Sequence, residues 1–368
     1  MRKILCISHS TCLHGAERVF VQAIQAWRSS GAEVWVVFPS ILPDEGMIDQ
    51  LKQLVGADHI LLLPYRPAGI SLWRTRMVML YNRYAVCKLS RWMQEHAIDT
   101  VYSNTSITIL GAQLVQRTGI RHIWHFHEPV NALYGWEPEL RDVYRRWVNR
   151  PGTSLVFISQ QQRQEWESEL GQACPGTVIY NPIAAIEMPA AEPHETLRIG
   201  FIGHFESRKN IRLLVRVFAR FQPTHPQSEL WLCGAIDEAE KRDWELDCAS
   251  TANVRITLHT NDVGAFYSNI DILALPSFSE TMPLVTIEAM QAGVCVLQTT
   301  ESGMSELYTN EKECLFLSPN DEDVWVEALN RCADKTYRCR MALNGKKKTE
   351  AYDFNRQFEQ QIQHMLCE

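Results

Sequence analysis

PSFSETMPLVTIEAMQAG, residues 276–293, is the stretch on which the fold turns. It follows the apolar run 270–275, read as a buried strand that ends at Pro276. A short polar loop, SFSET, comes next. A helix then begins near Met282 and Pro283, where a proline's missing N–H costs nothing. Leu284, Val285, Ile287, Ala289, Met290 and Ala292 point in nearly every direction around that helix, which is therefore read as buried. The loop brings the N–H groups of Thr281, Met282, Leu284 and Val285 to the strand's carboxyl end. With the partial positive charge of a helix N-terminus, they make an anion site suited to phosphate. Glu288 lies among apolar neighbours on the same helix. A buried carboxylate needs donors. Ligand hydroxyls would serve, and so would an arginine or a backbone N–H inside the core.

The same strand-then-helix rhythm runs through the whole chain. Apolar runs fall at 3–8, 34–38, 59–63, 100–103, 122–127, 155–159 and 177–180, with helical patterns between them. A second set falls at 198–202, 229–233, Val254–Leu258, 270–275 and 294–297. Most are unbroken Val/Ile/Leu-rich runs rather than alternating ones. Strands buried on both faces read that way, which predicts two parallel sheets wrapped by helices, an α/β architecture. Between the two sets, NPIAAIEMPAAEPHE at 181–195 has no clean period and reads as an interdomain linker. Ligands of such sheets sit beyond the carboxyl ends of strands, so the residues just after strands carry the information.

Composition narrows the function. A length of 368 residues suits two domains. A net charge of -7 argues against nucleic-acid binding. No run of about 18 apolar residues is present to span a membrane, and MRKILCIS has no signal-peptide core. Eleven cysteines without a CxxC pair read as reduced thiols in a cytoplasm.

Three other motifs follow strands. In GFIGHFESRKN (200–210), Arg208 and Lys209 precede a helix from Ile211 and suit neutralisation of a diphosphate, although a solvated basic turn reads the same. In HGAER (14–18), Gly15 permits close backbone approach at a helix start. No GxGxxG accompanies it. In HIWHFHEP (122–129), His125 and His127 share one side of a strand. A metal reading lacks a third ligand, and ordinary strand-end hydrogen bonds explain the pattern as well.

The pair Glu280 and Glu288, spaced E-x7-E with Pro283, Glu288-Ala289-Met290 and Gly293, resembles the signature of family-four (group 1) retaining glycosyltransferases of the GT-B type. HGAERVFVQ, HFHEP, VIYNPI, GFIGHFESRKN and SGMSEL (302–307) extend the resemblance over nearly the whole chain. It implies two Rossmann-like doubly wound domains facing a central cleft: 1–185 for acceptor and 186–349 for nucleotide sugar. The terminal stretch 350–368 would be a helix crossing back to the first domain. It further implies that Glu288 holds the ribose, that Glu280 orients the donor sugar, and that the stretch Thr281, Met282, Pro283 and Leu284 holds the diphosphate or sugar hydroxyls. Lys209 matches the family's usual lysine, with Arg208 beside it. His204, after Gly203, stands where an arginine is usual, and His14 replaces the first of two glycines before Gly15. His127 matches the mid-chain histidine near the donor sugar. Similar enzymes use front-face attack with no protein nucleophile.

No DxD-like acidic motif stands at a strand end, so metal independence is expected, with no cofactor beyond a UDP- or GDP-sugar donor. The expected reaction is hexose transfer to a glycan or lipid-linked acceptor in bacterial cell-surface polysaccharide synthesis. A nucleotide-sugar epimerase, a phosphorylase or a non-catalytic sugar-nucleotide-binding subunit are the alternatives on this architecture. Finally, residues 65–92 carry Arg66, Arg74, Arg76, Arg83, Lys88 and Arg91 with no acid, interleaved with Trp73, Met77, Leu80, Tyr81, Tyr84 and Trp92. A basic helix of this kind can rest on an anionic membrane, here the cytoplasmic face. It can equally pack its apolar side on the first domain.

Overall fold

A computed structural model describes the chain except for residues 14, 41–44, 69–70, 131–137, 185, 191–193, 236, 259, 261 and 368. His14 therefore lies outside the described residues, as does part of the expected linker. The chain divides into two compact units: Met1–Pro182 with Asn355–Glu368, and Ile183–Phe354.

The first unit holds a seven-stranded sheet: β1 (Lys3–Ile7), β2 (Glu33–Pro39), β3 (Ile60–Leu63), β4 (Thr100–Asn104), β5 (Arg121–Phe126), β6 (Thr153–Phe157) and β7 (Gly176–Val178). Its order is β3-β2-β1-β4-β5-β6-β7, and every neighbouring pair is parallel. Alternate residues of one strand serve opposite cores, as the two-residue period of a strand requires. Ile4 and Cys6 of β1 join Phe20, Trp27 and Phe38 on one face. Leu5 and Ile7 join Trp35, Leu89 and Leu114 on the other. Covering both faces is what made the strands read as unbroken apolar runs. The helix Phe354–His364 completes the first of these cores: Phe358 and Ile362 pack into it, and the Trp27 indole donates to the Ile362 carbonyl at 2.8 Å.

The second unit holds a six-stranded sheet: β8 (Arg198–His204), β9 (Glu229–Ala235), β10 (Val254–Leu258), β11 (Ile272–Leu275), β12 (Cys295–Thr299) and β13 (Leu315–Leu317). Its order, β10-β9-β8-β11-β12-β13, repeats the doubly wound pattern, again all parallel. In each sheet the winding reverses beside the first strand, between β1 and β4 and between β8 and β11. That reversal opens a crevice at the strands' carboxyl ends.

The expected strands are present, with ends set by local capping. The run 155–159 stops at Phe157, because Ser159 caps the helix Gln160–Leu170 and its Oγ accepts the Gln162 N–H at 3.0 Å. β13 was not anticipated, since three residues carry too little pattern.

The basic stretch is also corrected. It forms two helices, Leu72–Tyr81 and Arg83–Glu95, rather than one. The break falls at buried Asn82, whose side chain accepts the Arg66 N–H at 3.0 Å and donates to the Arg66 carbonyl at 3.1 Å. A side chain that must meet backbone 16 residues earlier fixes the turn there.

Candidate functional site

In the second unit, two loops meet where the winding reverses. β8 runs on through Gly203, at φ 153°, to half-buried His204. Only glycine adopts that backbone angle readily. A short 3-10 turn, Ser207–Lys209, follows and ends at Asn210 in the left-handed region, φ 51°. The Asn210 side chain is tied to the Pro319 carbonyl at 3.0 Å. This turn carries Arg208 and Lys209 toward the loop after β11. Lys209 Nζ lies 2.6 Å from Glu280 Oε1, and Arg208 Nη1 lies 3.5 Å from Glu280 Oε2. Arg208 also donates to the Ser279 carbonyl at 3.1 Å, and its own carbonyl accepts the Phe278 N–H at 2.9 Å.

Glu280 is held from behind as well. Its N–H donates to the Glu301 carbonyl at 2.8 Å, it forms a parallel bridge with Ser302, and its carbonyl accepts the Gly303 N–H at 3.3 Å. Ser302 and Gly303 open the SGMSEL segment, so that stretch braces the carboxylate. The Ser277 hydroxyl donates to Glu280 Oε1 at 2.6 Å. Glu280 is 6% exposed. Burial alone pushes its carboxyl up. The Lys209 and Arg208 charges, with hydrogen bonds from Lys209 and Ser277, outweigh burial and hold it below its ordinary value. Arg208 Nη2 also lies 3.5 Å from Oε2 of exposed Glu206, so the cluster holds two cations and two carboxylates, and what suits it to an anion is a pair of cations fixed in place.

Glu288 lies nearby in sequence but in a different setting. Pro283 is extended, at φ -69° and ψ 112°, so the helix runs Leu284–Ala292 and starts slightly later than the sequence suggested. Thr281, Met282 and Pro283 are buried in the loop before it. Leu284 and Val285, as its first residues, have no intrahelical acceptor for their N–H groups. Glu288 is 3% exposed, and the Tyr267 hydroxyl donates to its Oε2 at 2.8 Å. That phenol is neither of the core partners the sequence suggested. Nothing in the sequence ties Tyr267 to position 288. Ser277, by contrast, stood three residues before Glu280 in the quoted stretch.

In the first unit, Gly15 opens the helix Gly15–Ser29. His127 lies just past β5, its Nε2 2.9 Å from Asn104 Oδ1 at the end of β4. His125 and His127 rings are 4.1 Å apart, on one side of the strand as expected. His125 Nδ1 lies 2.9 Å from the Tyr102 hydroxyl. His122 faces the other way, with its Nε2 2.9 Å from Ser103 Oγ. Among the described residues, no three His, Cys, Asp or Glu side chains gather as a metal ion requires.

Burial lowers all three histidines. His122 and His125 fall from 6.5 to about 3, His122 with help from the Arg150 charge. His127 falls well below 6.5 through burial, then through His125 and His9. The folded protein thus keeps them neutral where the unfolded chain takes up protons. Their contribution is complete above pH 6.5 and is lost as pH falls from there toward 3. Each histidine adds a slope of up to about 1.4 kcal/mol per pH unit in that window. Urea unfolding midpoints should therefore drop steadily from pH 6.5 to pH 5. A flat profile would contradict the buried neutral assignment.

The two basic helices carry much of the exposed apolar surface. Trp73, Met77, Leu80, Tyr81 and Tyr84 are exposed, Trp73 by 70%. Arg74, Arg76, Arg83, Lys88 and Arg91 are exposed with them. Among the described residues, no helix is long and apolar enough to cross a membrane.

Comparison with known proteins adds a family. Residues 13–185 match the model described as glycosyltransferase family 4, and residues 185–348 match that of glycosyl transferases group 1. The D-inositol 3-phosphate glycosyltransferase of Corynebacterium jeikeium is 27% identical over 149 residues, 38% of this chain and 36% of that protein. Glycogen synthase of Mycobacterium tuberculosis is 29% identical over 191 residues, 48% of this chain and 44% of that protein. The match thus spans less than half the length of these two relatives. Among solved structures, Anabaena HepE in complex with UDP-glucose aligns with a TM-score of 0.77 at 19% identity, covering 100% of both chains. At that identity the likeness shows a shared fold, the GT-B type.

Proposed function

The chain belongs to the group 1 glycosyltransferases, and on that premise we propose that it is a retaining hexosyltransferase. It takes a hexose from a UDP- or GDP-sugar and passes it to a glycan or lipid-linked acceptor in cell-surface polysaccharide synthesis, on the cytoplasmic side. The observation that carries this reading is the cluster of Lys209, Arg208 and Glu280 where the winding reverses in the second unit. A donor diphosphate brought to it meets two cations already fixed in place. As the sugar–oxygen bond breaks, negative charge grows on the leaving phosphate, and fixed cations stabilise that state most. Glu280 is committed to both cations and is poorly suited to act as a nucleophile. Retention then follows from attack on the face that the phosphate leaves, with a phosphate oxygen taking the acceptor proton.

The remaining residues take supporting roles in this reading. Glu288, aimed by Tyr267, accepts from the ribose hydroxyls. The stretch Thr281, Met282, Pro283 and Leu284 meets the diphosphate, with Gly203 and His204 beside it. His127 and Gly15 serve from the first unit, His127 as a neutral hydrogen-bonding group to the donor sugar. HepE, solved with UDP-glucose, favours a uridine donor.

A thermal-shift screen against UDP, GDP, ADP and their sugars tests the donor site. A ligand at 100 times its Kd stabilises by about 2.7 kcal/mol, a readable rise in melting temperature. UDP or GDP should give that rise in the wild type, and Glu288→Ala should lose most of it. An unmoved melting temperature with every nucleotide would remove the donor site. Product NMR then reads the anomeric configuration, and inversion would refute the retaining route.

We also propose that the exposed face of Leu72–Tyr81 and Arg83–Glu95 rests on an anionic lipid surface. The charge is complementary, and the aromatic crest suits the headgroup boundary. Each cation near such a surface contributes about 1 kcal/mol, so replacing Arg74 and Arg76 together with serine should weaken binding to phosphatidylglycerol vesicles roughly 30-fold. Equal sedimentation with neutral phosphatidylcholine vesicles would refute the lipid assignment.

A further inference from the structure

One edge of the first sheet carries a groove that the donor site leaves unused. It is a cavity of about 530 Å³ between β3 and the helix Arg83–Glu95, a volume usual for small-ligand sites. β3 is the edge strand and pairs with β2 on one side only. The helix contributes a single stripe, Tyr84, Lys88, Arg91 and Glu95, at the three- and four-residue spacing that keeps side chains on one face.

The floor of the groove is apolar and preformed. Leu61 of β3 and Trp92 of the helix are half-buried, and both pack on the core that contains Leu63, Leu89 and Met93. Trp92 is held from two sides. Its ring stacks on that of His96 at 4.1 Å and meets the ring of Trp35 edge-on at 5.6 Å. A ligand laid on this floor meets side chains that are already ordered, so little conformational freedom is lost on binding.

The rim is cationic. Lys88 and Arg91 are exposed, and among the described residues neither pairs with a carboxylate. Exposed Glu95 is the one acid that lines the groove. An apolar floor beside two open cations complements an amphiphile with an anionic head. A peptide adding itself to β3 fits less well. An edge of four residues offers a second strand few backbone hydrogen bonds, and a hydrocarbon chain needs none.

We propose that this groove seats one acyl chain of an anionic phospholipid. The chain lies on Leu61 and Trp92, and its phosphate meets Lys88 and Arg91. This rests on the lipid-surface reading of the two basic helices and deepens it, because it gives a single lipid molecule a defined place on the protein.

The test is isothermal titration with hexyl, octyl and decyl phosphate, each kept below the concentration at which it forms micelles. Every methylene taken up by the groove should tighten binding roughly fourfold. Inorganic phosphate should give no measurable heat, and octyl trimethylammonium should bind at least about tenfold more weakly than octyl phosphate, because the rim repels its charge. Replacing Lys88 and Arg91 together with glutamine should weaken octyl phosphate about 30-fold. Cys87 is exposed on the groove wall, so Cys87→Trp should fill the groove and abolish binding with little change in melting temperature. The variant with serine at Arg74 and Arg76 should lose vesicle binding yet bind octyl phosphate as the wild type does. Equal affinity along the chain series, equal affinity for the cationic amphiphile, or unchanged binding in Cys87→Trp overturns the proposal. A dimer that Cys87→Trp dissolves would give the groove to a second copy of the chain and overturn it too. A wild type that binds phosphatidylglycerol vesicles but no alkyl phosphate overturns the groove alone. One that binds no such vesicles overturns the lipid-surface reading first, and this one with it.

Discussion

Lys209→Ala should lower kcat by roughly 10²–10³-fold, the usual cost of removing one fixed charge from a site where charge develops. The melting temperature should move much less, because Glu280 keeps the Ser277 hydroxyl and Arg208. Lys209→Arg retains the charge but spreads it over a planar fork, and should recover only part of the rate. The comparison separates a chemical role from a structural one. A fall in kcat below tenfold, with a large drop in melting temperature, would make Lys209 a brace for the loop and nothing more.

Glu280→Gln should split binding from turnover. With that carboxylate charge gone, Lys209 and Arg208 are opposed only by exposed Glu206, so UDP should bind several-fold tighter by simple Coulomb attraction. Turnover should fall about 10²-fold, because the cations and the donor sugar lose their fixed reference and a small misplacement is costly. Weaker UDP binding together with a lower kcat would contradict this account.

The variant also reports on pH. Glu280 is held below its ordinary value of 4.5 in the folded protein. Its stabilisation is therefore complete above 4.5 and is lost as pH falls through the lower folded value. The wild type should lose an increment of stability in that acid window that Glu280→Gln has already lost. The increment should be smaller than that of a fully buried pair, because the Lys209 and Arg208 side chains keep 15% and 27% exposure.

Much of the fold was legible in the sequence because a parallel sheet covered on both faces writes itself as unbroken apolar runs. Val34, Val36 and Phe38 face one core and Trp35 and Val37 the other, so the whole of 34–38 reads as a strand. What the sequence hid was set by distant partners. The break at Asn82 depends on Arg66, and β13 exists because Leu315–Leu317 lies beside β12. The site divides in the same way. Glu280, Glu288, Arg208 and Lys209 stood out by residue type and motif. That Lys209 reaches across 71 positions to Glu280 follows from two strands lying side by side, and no local pattern encodes it. Tyr267 and Asn104 were missed because a tyrosine in a short helix or an asparagine at a strand end is common, and only its neighbour makes it informative.

The placement of Asn355–Glu368 within the first unit has a consequence for how the protein is made. On the ribosome the first sheet emerges early, yet the surface that Phe358 and Ile362 cover stays bare, with the Trp27 indole lacking the Ile362 carbonyl it bonds in the finished fold. All of Ile183–Phe354 must be synthesised before that gap closes. The second unit, a continuous stretch, can therefore finish folding first although it is made after Met1–Pro182. In the interval the nascent chain exposes an apolar strip on its first sheet, which makes it a natural client for a chaperone that binds such surfaces.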